Sequence, residues 1–558
     1  MSPKEQTFDA VSLRVLWARL ISITDEGVSA LVRTSFSPIV SESFDLSVIL
    51  LDAEGHSMAQ GTQSIPSFTG CAPATLAHML ERFPPETLRP GDVVATNDPW
   101  KGTGHIFDIN VMRPVFRQRR IAAYVISVTH LPDIGGTGYG ASSSSQFEEG
   151  LLIPAAKIVE EGTVNQFFVD LIEANTRVPD QVLGDIMANV TCTELSARQL
   201  LEFMDEYGIE DLAPLSAAIR AQSEQAVRQG ISRMQDGRYT NEIRIEGADE
   251  PAVLACQIDV KGDSILIDCA GTSPAVRRGM NSPLCFTNAY ANFAIKCLAA
   301  PAVPNNEGST QPVTVTAPVG CILNPDRPFP TGAKHTSGYF VMPLVFGALA
   351  DAAPETAQAD SGMINVFNCQ GTHRDGMAIS TMFFASGGFG ALSNHDGLPT
   401  MSHPANNTGV SVEMWERMTS LYLERKALVP DSGGPGEARG GLGQTTELKN
   451  ESGHPLTIHL MGFRTEFPAE GFHGGRSGHL REARINGQLV DPKARLTLMP
   501  GDSMSRIEAG GGGYGDPLER PPELVLTDVV NGYVTAEGAR RDYGVDVDLD
   551  KMTARRRG

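Results

Sequence analysis

HIFDINVMRPVFRQRRIAAYVISVTHLPDIGG, residues 105–136, decides how the chain folds around any chemistry it carries. Two apolar runs, 109–116 and 121–130, flank the basic turn Gln118-Arg119-Arg120, the pattern of a β-hairpin. A turn of about three residues centred on Arg119 gives an antiparallel register in which Asp108 faces His130. His105 stands one turn before the first strand and can swing to the same end. Two imidazoles and a carboxylate are a donor set that Zn, Mn or Fe prefers. The His-x-x-Asp spacing occurs twice, as His105/Asp108 and His130/Asp133. Asp133 and Asp98, in Thr96-Asn97-Asp98-Pro99, have two readings. They cap turns through side-chain hydrogen bonds, or they orient a ligand histidine. Closely paired thiolates are missing, so the site is expected to be open, rich in nitrogen and oxygen, and catalytic.

Outward from the hairpin, apolar residues at 13, 16, 17, 20, 28, 31 and 32 have helical spacing, interrupted by Gly27. Residues 45–51 predict a strand and 177–208 a helix that stops at Gly208. The texture changes near residue 239. Segments 241–247, 253–260 and 264–271 follow one another as antiparallel β, then an Ala-rich helix is expected at about 286–300. The proline-rich stretch 301–330 reads as a long ordered loop. The fold class expected is α+β, multi-domain, with mixed helices and largely antiparallel sheets and the metal site at the open end of the N-terminal hairpin. The boundaries read are 1–238 for the metal-binding domain, 239–330 for the β-rich unit with its helix, and 331–558 for a Gly-rich C-terminal region.

The 558 residues carry 45 basic and 66 acidic side chains, a net charge of −21. That argues against nucleic acid or an anionic membrane as partner, since both select basic surfaces. No apolar run is long enough to span a bilayer. The first residues lack the basic and apolar regions of a secretion signal, so a cytoplasmic protein is expected. Eight cysteines with no CxxC pair read as buried free thiols.

Glycine, 57 residues in all, gathers in bursts at 386–390, 432–443 and 510–515. One reading has backbone N–H groups receiving an oxyanion, with Arg439 or Arg476 as the cation. The preferred reading is tight turns packed against each other. GxxxxGK[ST] does not occur, and GxGxxG nowhere joins a strand to a helix, so neither a P-loop nor a Rossmann site is supported. Lys334-His335-Thr336-Ser337 sets a histidine beside a hydroxyl, without an acid partner for a triad. Glu413 and Glu416 read as a solvated face.

Motifs along nearly the whole chain carry a resemblance: 45–47, 97–99, 105–108, 130–136, 149–151, 153–154, 175–177, 184–185, 334–337, 345–349, 432–434, 439–441 and 510–517. The sequence resembles the hydantoinase B/5-oxoprolinase family, to which large subunits of ATP-dependent acetone and acetophenone carboxylases are related. The resemblance implies a metal centre of Mn or Zn type with Asp45, His105, Asp108 and His130 as ligands. Three of these agree with the hairpin argument. Asp45 comes from the resemblance alone, and Glu42 is a rival for its place. Many relatives carry a histidine within the stretch where this chain has Ile65 to Gly70, and Phe68 there implies a changed pocket.

What the resemblance further implies is a B-type subunit of an ATP-dependent cyclic amide hydrolase, opening a hydantoin, N-methylhydantoin, 5-oxoproline or lactam ring. Asp133 and Asp98 would assist catalysis. ATP would be bound by a hydantoinase A-like partner, in a hetero-oligomer that takes a small-molecule substrate. The alternatives are a subunit of a ketone carboxylase and a non-catalytic scaffold for the ATPase subunit.

Overall fold

Strand Leu46–Asp52 (β1) is buried along its whole length because both of its faces are covered. Leu46, Val48 and Leu50 join a core with Leu20 and Leu31 of the helix Ala10–Thr34 and Cys192 of the helix Pro179–Glu206. Ile49 and Leu51 join the opposite core, with Leu76 and Met79 of the helix Pro66–Arg82. Each such side chain contributes about 1.5–3 kcal/mol by leaving water. The computed structural model describes residues 8–557.

The first sheet adds Ser57–Gln60 (β2), Val93–Thr96 (β3), Asp108–Arg117 (β4), Arg120–His130 (β5), Ala156–Glu160 (β6) and Thr163–Val164 (β7). Its order is β2-β1-β5-β4-β3-β6-β7, and neighbouring strands are antiparallel. The β4–β5 turn has two residues, not three: Arg117 pairs with Arg120, and Gln118 and Arg119 take φ of 50° and 78°. A primed turn of this kind matches the twist of the strands. A bulge then skips Ala122, because Phe116 pairs with Ile121 and Val115 with Ala123. Two turn residues plus one bulged residue shift the register as a three-residue turn would. Asp108 therefore faces His130.

Gly27 does not divide the first helix, which runs unbroken from Ala10 to Thr34. A Cβ at Gly27 would strike the Ser196 hydroxyl, so the glycine marks where two helices touch. The second sheet comprises Gly237–Ile245 (β8), Ala252–Lys261 (β9), Ser264–Asp268 (β10) and Val313–Thr316 (β11), in the order β11-β10-β9-β8. β11 lies inside the stretch expected to be loop and pairs parallel with β10. Parallel neighbours need a crossover, which the helix Leu284–Ala299 supplies. Two further antiparallel sheets are built around Ile364–Thr372 with Ala378–Ser386, and around Leu421–Leu428, Gln444–Asn450 and Ser503–Ile507. The protein is thus multi-domain α+β, with mixed helices and largely antiparallel sheets.

The glycine bursts meet in one block. Gly434 N–H donates to Gly511 O (2.8 Å), Gly511 to Gly441 O (3.0 Å), Gly441 to Phe389 O (2.8 Å) and Gly388 to Ala509 O (2.8 Å). A Cβ on Gly388, Gly434, Gly440 or Gly511 would collide with neighbouring backbone. These N–H groups already have carbonyl partners, so the oxyanion reading is set aside and the packed reading is what is found. Arg439 donates to Gly440 O, and Arg476 pairs with Asp542. All eight cysteines are free, six of them buried. Among the described residues no helix is long and apolar enough to cross a membrane.

Buried Asp185, on the helix Pro179–Glu206, accepts Phe36 N–H (2.8 Å) and Ser37 N–H (3.0 Å), docking the chain just before β1. Burial raises its carboxyl to about 6, against hydrogen bonds from Ser37 and Phe36 that lower it. A raised folded-state value means that its stabilising contribution is complete in acid and is lost as pH climbs through about 6. Asp185→Asn keeps an acceptor and cannot ionise. The melting temperature of Asp185→Asn relative to the unaltered protein should therefore rise between pH 4 and pH 7 (roughly, from these pKa limits), and a flat difference across that range would refute the assignment.

Candidate metal centre

Antiparallel pairing places three residues in one row at the end of the first sheet. Asp108 opens β4 opposite His130, which closes β5. Asp45 immediately precedes β1, and its carbonyl accepts the His130 N–H (3.1 Å). Facing residues of neighbouring strands project to the same side. His105 enters from the loop before β4. Its Nε2 lies 2.8 Å from Asp108 Oδ1, and His130 Nδ1 lies 3.1 Å from that same oxygen. One ligand atom each from His105, Asp108 and His130 fits within 4.8 Å of the others, and all three residues are buried.

The protonation pattern tests whether a cation fits. Burial lowers His105 to about 4, despite the opposing pull of Asp108, so its ring is neutral near pH 7. Nδ1 sits 2.9 Å from the Gly332 carbonyl, which can only accept, so Nδ1 carries the proton. The Nε2 lone pair then points at a carboxylate oxygen. Burial opposes charge on Asp108, but the neighbouring His105, Lys334 and His130 hold it well below the usual carboxylate range. Two acceptors at 2.8 Å call for a positive charge between them. His130 Nε2 is also buried without a partner. The donor set fits a divalent ion.

A second ring of groups surrounds this one. Lys334 Nζ donates to Asp108 Oδ2 (2.8 Å) and to Thr103 O (2.5 Å), and lies 4.7 Å from the centre of the Phe286 ring. Thr103 Oγ1 also donates to Asp108 Oδ2 (2.7 Å). The Tyr139 ring lies 4.9 Å from His130 and 5.6 Å from His105. Its hydroxyl is 3.1 Å from His335 Nδ1, while His335 Nε2 is buried and unpartnered. Burial, then the neighbouring His105 and Lys334, hold His335 well below its ordinary value, so this ring too is neutral. Lys334, Tyr139, His335 and Gly332 had no local signal tying them to the hairpin. The Lys334-His335 pair was visible as an incomplete triad and as one motif of the resemblance, and Ser337 donates instead to Met280 O (2.5 Å).

The other candidates are placed as follows. Half-buried Asp45 lies outside the 4.8 Å group. Burial raises its carboxyl to about 6, with His130 lowering it and Asp108 raising it, so it senses the centre. No hydrogen bond or ion pair of the Glu42 side chain occurs among the described residues. Asp133 accepts from Gly135 N–H and binds Arg177 Nη1 at 2.6 Å, and Asp98 accepts from Trp100 N–H and binds Arg327 Nη2 at 2.5 Å. Neither bonds a histidine ring. These carboxylates have arginines as partners, and the ring nitrogen Nδ1 of His105 is oriented by a backbone carbonyl instead. Phe68 is packed in the core of the helix Pro66–Arg82 at 3% exposure.

A family model described as hydantoinase B/oxoprolinase matches residues 9–517. The caprolactamase subunit beta of Pseudomonas jessenii is 30% identical over 577 residues, covering 97% of each chain. The 5-oxoprolinase 1 of Arabidopsis thaliana is 26% identical, with 93% of this chain matching 41% of that one. The crystal structure of ATP-dependent caprolactamase from Pseudomonas jessenii superposes with a TM-score of 0.90 at 26% identity, over 98% of both chains. A nucleotide-free acetone carboxylase structure gives a TM-score of 0.87 at 19% identity, covering 97% of this chain and 80% of its own, which shows a shared fold.

Isothermal titration of the metal-stripped chain with zinc(II) or manganese(II) should give one site. His105→Ala or His130→Ala should weaken it by roughly a hundredfold or more, beyond the range seen when only supporting groups are lost. Unchanged affinity in both variants would show that the cluster does not hold the ion.

Proposed function

The chain belongs to the hydantoinase B/oxoprolinase family, and from that premise we propose that it is the B-type subunit of an ATP-dependent cyclic amide hydrolase. The observation that carries the reading is the end-to-end likeness to caprolactamase, a TM-score of 0.90 over 98% of both chains, joined to a buried His/Asp/His cluster. ATP is handled by an A-like partner subunit, in keeping with the subunit naming of the relative. The ketone-carboxylase alternative rests on a 19% likeness that speaks only to fold.

His105, Asp108 and His130 hold a divalent ion, Zn or Mn, with Asp45 from the adjoining strand end as fourth ligand. Such an ion supplies Lewis acidity toward a carbonyl oxygen and charge to offset a developing oxyanion. The protein's own groups do the rest. Gly332 O fixes the His105 tautomer so that the lone pair faces the centre. Lys334 keeps Asp108 ionised and stationary. Tyr139 O–H donates to His335 Nδ1, which places the remaining His335 proton on the unpartnered Nε2. That buried N–H is a donor for a substrate oxygen beside the centre. Phe107, Tyr139 and Tyr339 pack around the imidazoles and keep water scarce, which strengthens every charge interaction inside. Asp133 and Asp98 act at one remove, holding their loops through Arg177 and Arg327. An amide ring is resonance-stabilised, and phosphorylation of its oxygen in the partner subunit makes the carbon electrophilic enough for hydrolysis.

The two-subunit complex should show ATP hydrolysis stimulated by hydantoin, 5-oxoproline or caprolactam without bicarbonate. His105→Ala should abolish ring opening while the partner still binds ATP. Stimulation only by a ketone, and only with bicarbonate present, would replace this reading with carboxylation.

A further inference from the structure

Glu149 is a buried carboxyl group, 1% exposed, that the mechanism above does not use. It ends the short helix Gln146–Glu149, and its Oε1 accepts both the Thr331 N–H (2.8 Å) and the Gly332 N–H. Gly332, whose N–H it grips, is the residue whose carbonyl receives His105 Nδ1 at 2.9 Å. Two residues on, the same loop delivers Lys334 to Asp108.

The backbone on either side of Glu149, at Glu148 and Leu151, is itself tied to the segment that follows His130. Thr137 N–H donates to Glu148 O (2.9 Å) and Leu151 N–H to Ile134 O (2.8 Å). Gly136 and Gly150 have φ of 58° and 144° and lie where a Cβ would strike backbone, so the two segments are pressed together. A continuous path therefore runs from His130 through residues 134–137 to Glu149, then to Gly332 and His105.

We propose that Glu149 is a positioning residue that sets the tautomer of His105 by holding the Gly332 carbonyl in place. The inference rests on the reading of the His/Asp/His cluster as a metal centre, but its first readout needs no metal. What matters is the reach of the side chain and its acceptor atom. Glu149→Gln preserves both. Glu149→Asp keeps a buried carboxyl group, spares the fold the loss that Glu149→Ala would bring, and falls one methylene short of the loop.

The test uses the full chain labelled with nitrogen-15 histidine, stripped of metal, with His105→Asn identifying the His105 signals in long-range proton–nitrogen correlation spectra. The unaltered protein and Glu149→Gln should show the Nδ1–H tautomer, and Glu149→Asp a mixture. Zinc(II) titration should then give near-native affinity for Glu149→Gln and a loss of about ten- to a hundredfold for Glu149→Asp. A native tautomer and native affinity in Glu149→Asp would overturn the proposal, as would Glu149→Gln behaving like Glu149→Asp. Should the unaltered chain bind no zinc, the metal reading falls, and the tautomer comparison alone still decides the role of Glu149.

Discussion

Register is the constraint on which the rest of this structure depends. The side-chain period of a strand is two, so a slip of one residue in the β4–β5 pairing would turn Asp108 or His130 to the opposite face. Apolar burial on both faces of the first sheet opposes such a slip, because it would press each residue of β5 into the packing of the opposite core at once. The core chemistry of Val48, Leu50, Val125 and Ile126 thus fixes where the polar strand ends meet, although none of these residues touches them.

Once the ends are aligned, burial determines how they behave. A carboxylate removed from water needs partners, and Asp108 has three: the His130 imidazole, a hydroxyl and an ammonium. The His105 imidazole is neutral for the same reason, and neutral imidazole is the form that coordinates a metal. Desolvation would be destabilising in a protein without cations at this point. It becomes useful where a divalent charge offsets it. The buried arginines elsewhere, such as Arg481 with Glu508 and Arg520 with Asp396 and Asp528, show the structural use of the same principle, each guanidinium set against a carboxylate.

Much of this was legible from the residues alone. Periodicity marked the first helix, β1, the hairpin and the antiparallel run from 239, because each signal is local. The pairing of Asp108 with His130 was legible although the turn was misjudged, since a bulge at Ala122 compensates for the shorter turn. Lys334 and Asp108 lie 226 residues apart, and no spacing rule links them. Tyr139 and Glu149 are likewise recruited by tertiary packing. The parallel strand β11 was hidden among prolines, and its pairing depends on where the helix Leu284–Ala299 returns the chain. Asp98 and Asp133 carried a genuine turn signal, but their arginine partners lie well away in sequence, which a motif cannot reveal.

The glycine block reverses the usual inference from composition. Segments this poor in side chains ordinarily suggest a supple linker, open to proteases and quick to exchange its amide protons with solvent. Here those amides donate to carbonyls across segments too close to admit a methyl group. The most monotonous lettering in the chain therefore belongs to a part that should be among the slowest to exchange. Nearly any change to the first or second base of those codons would plant an atom where no room exists.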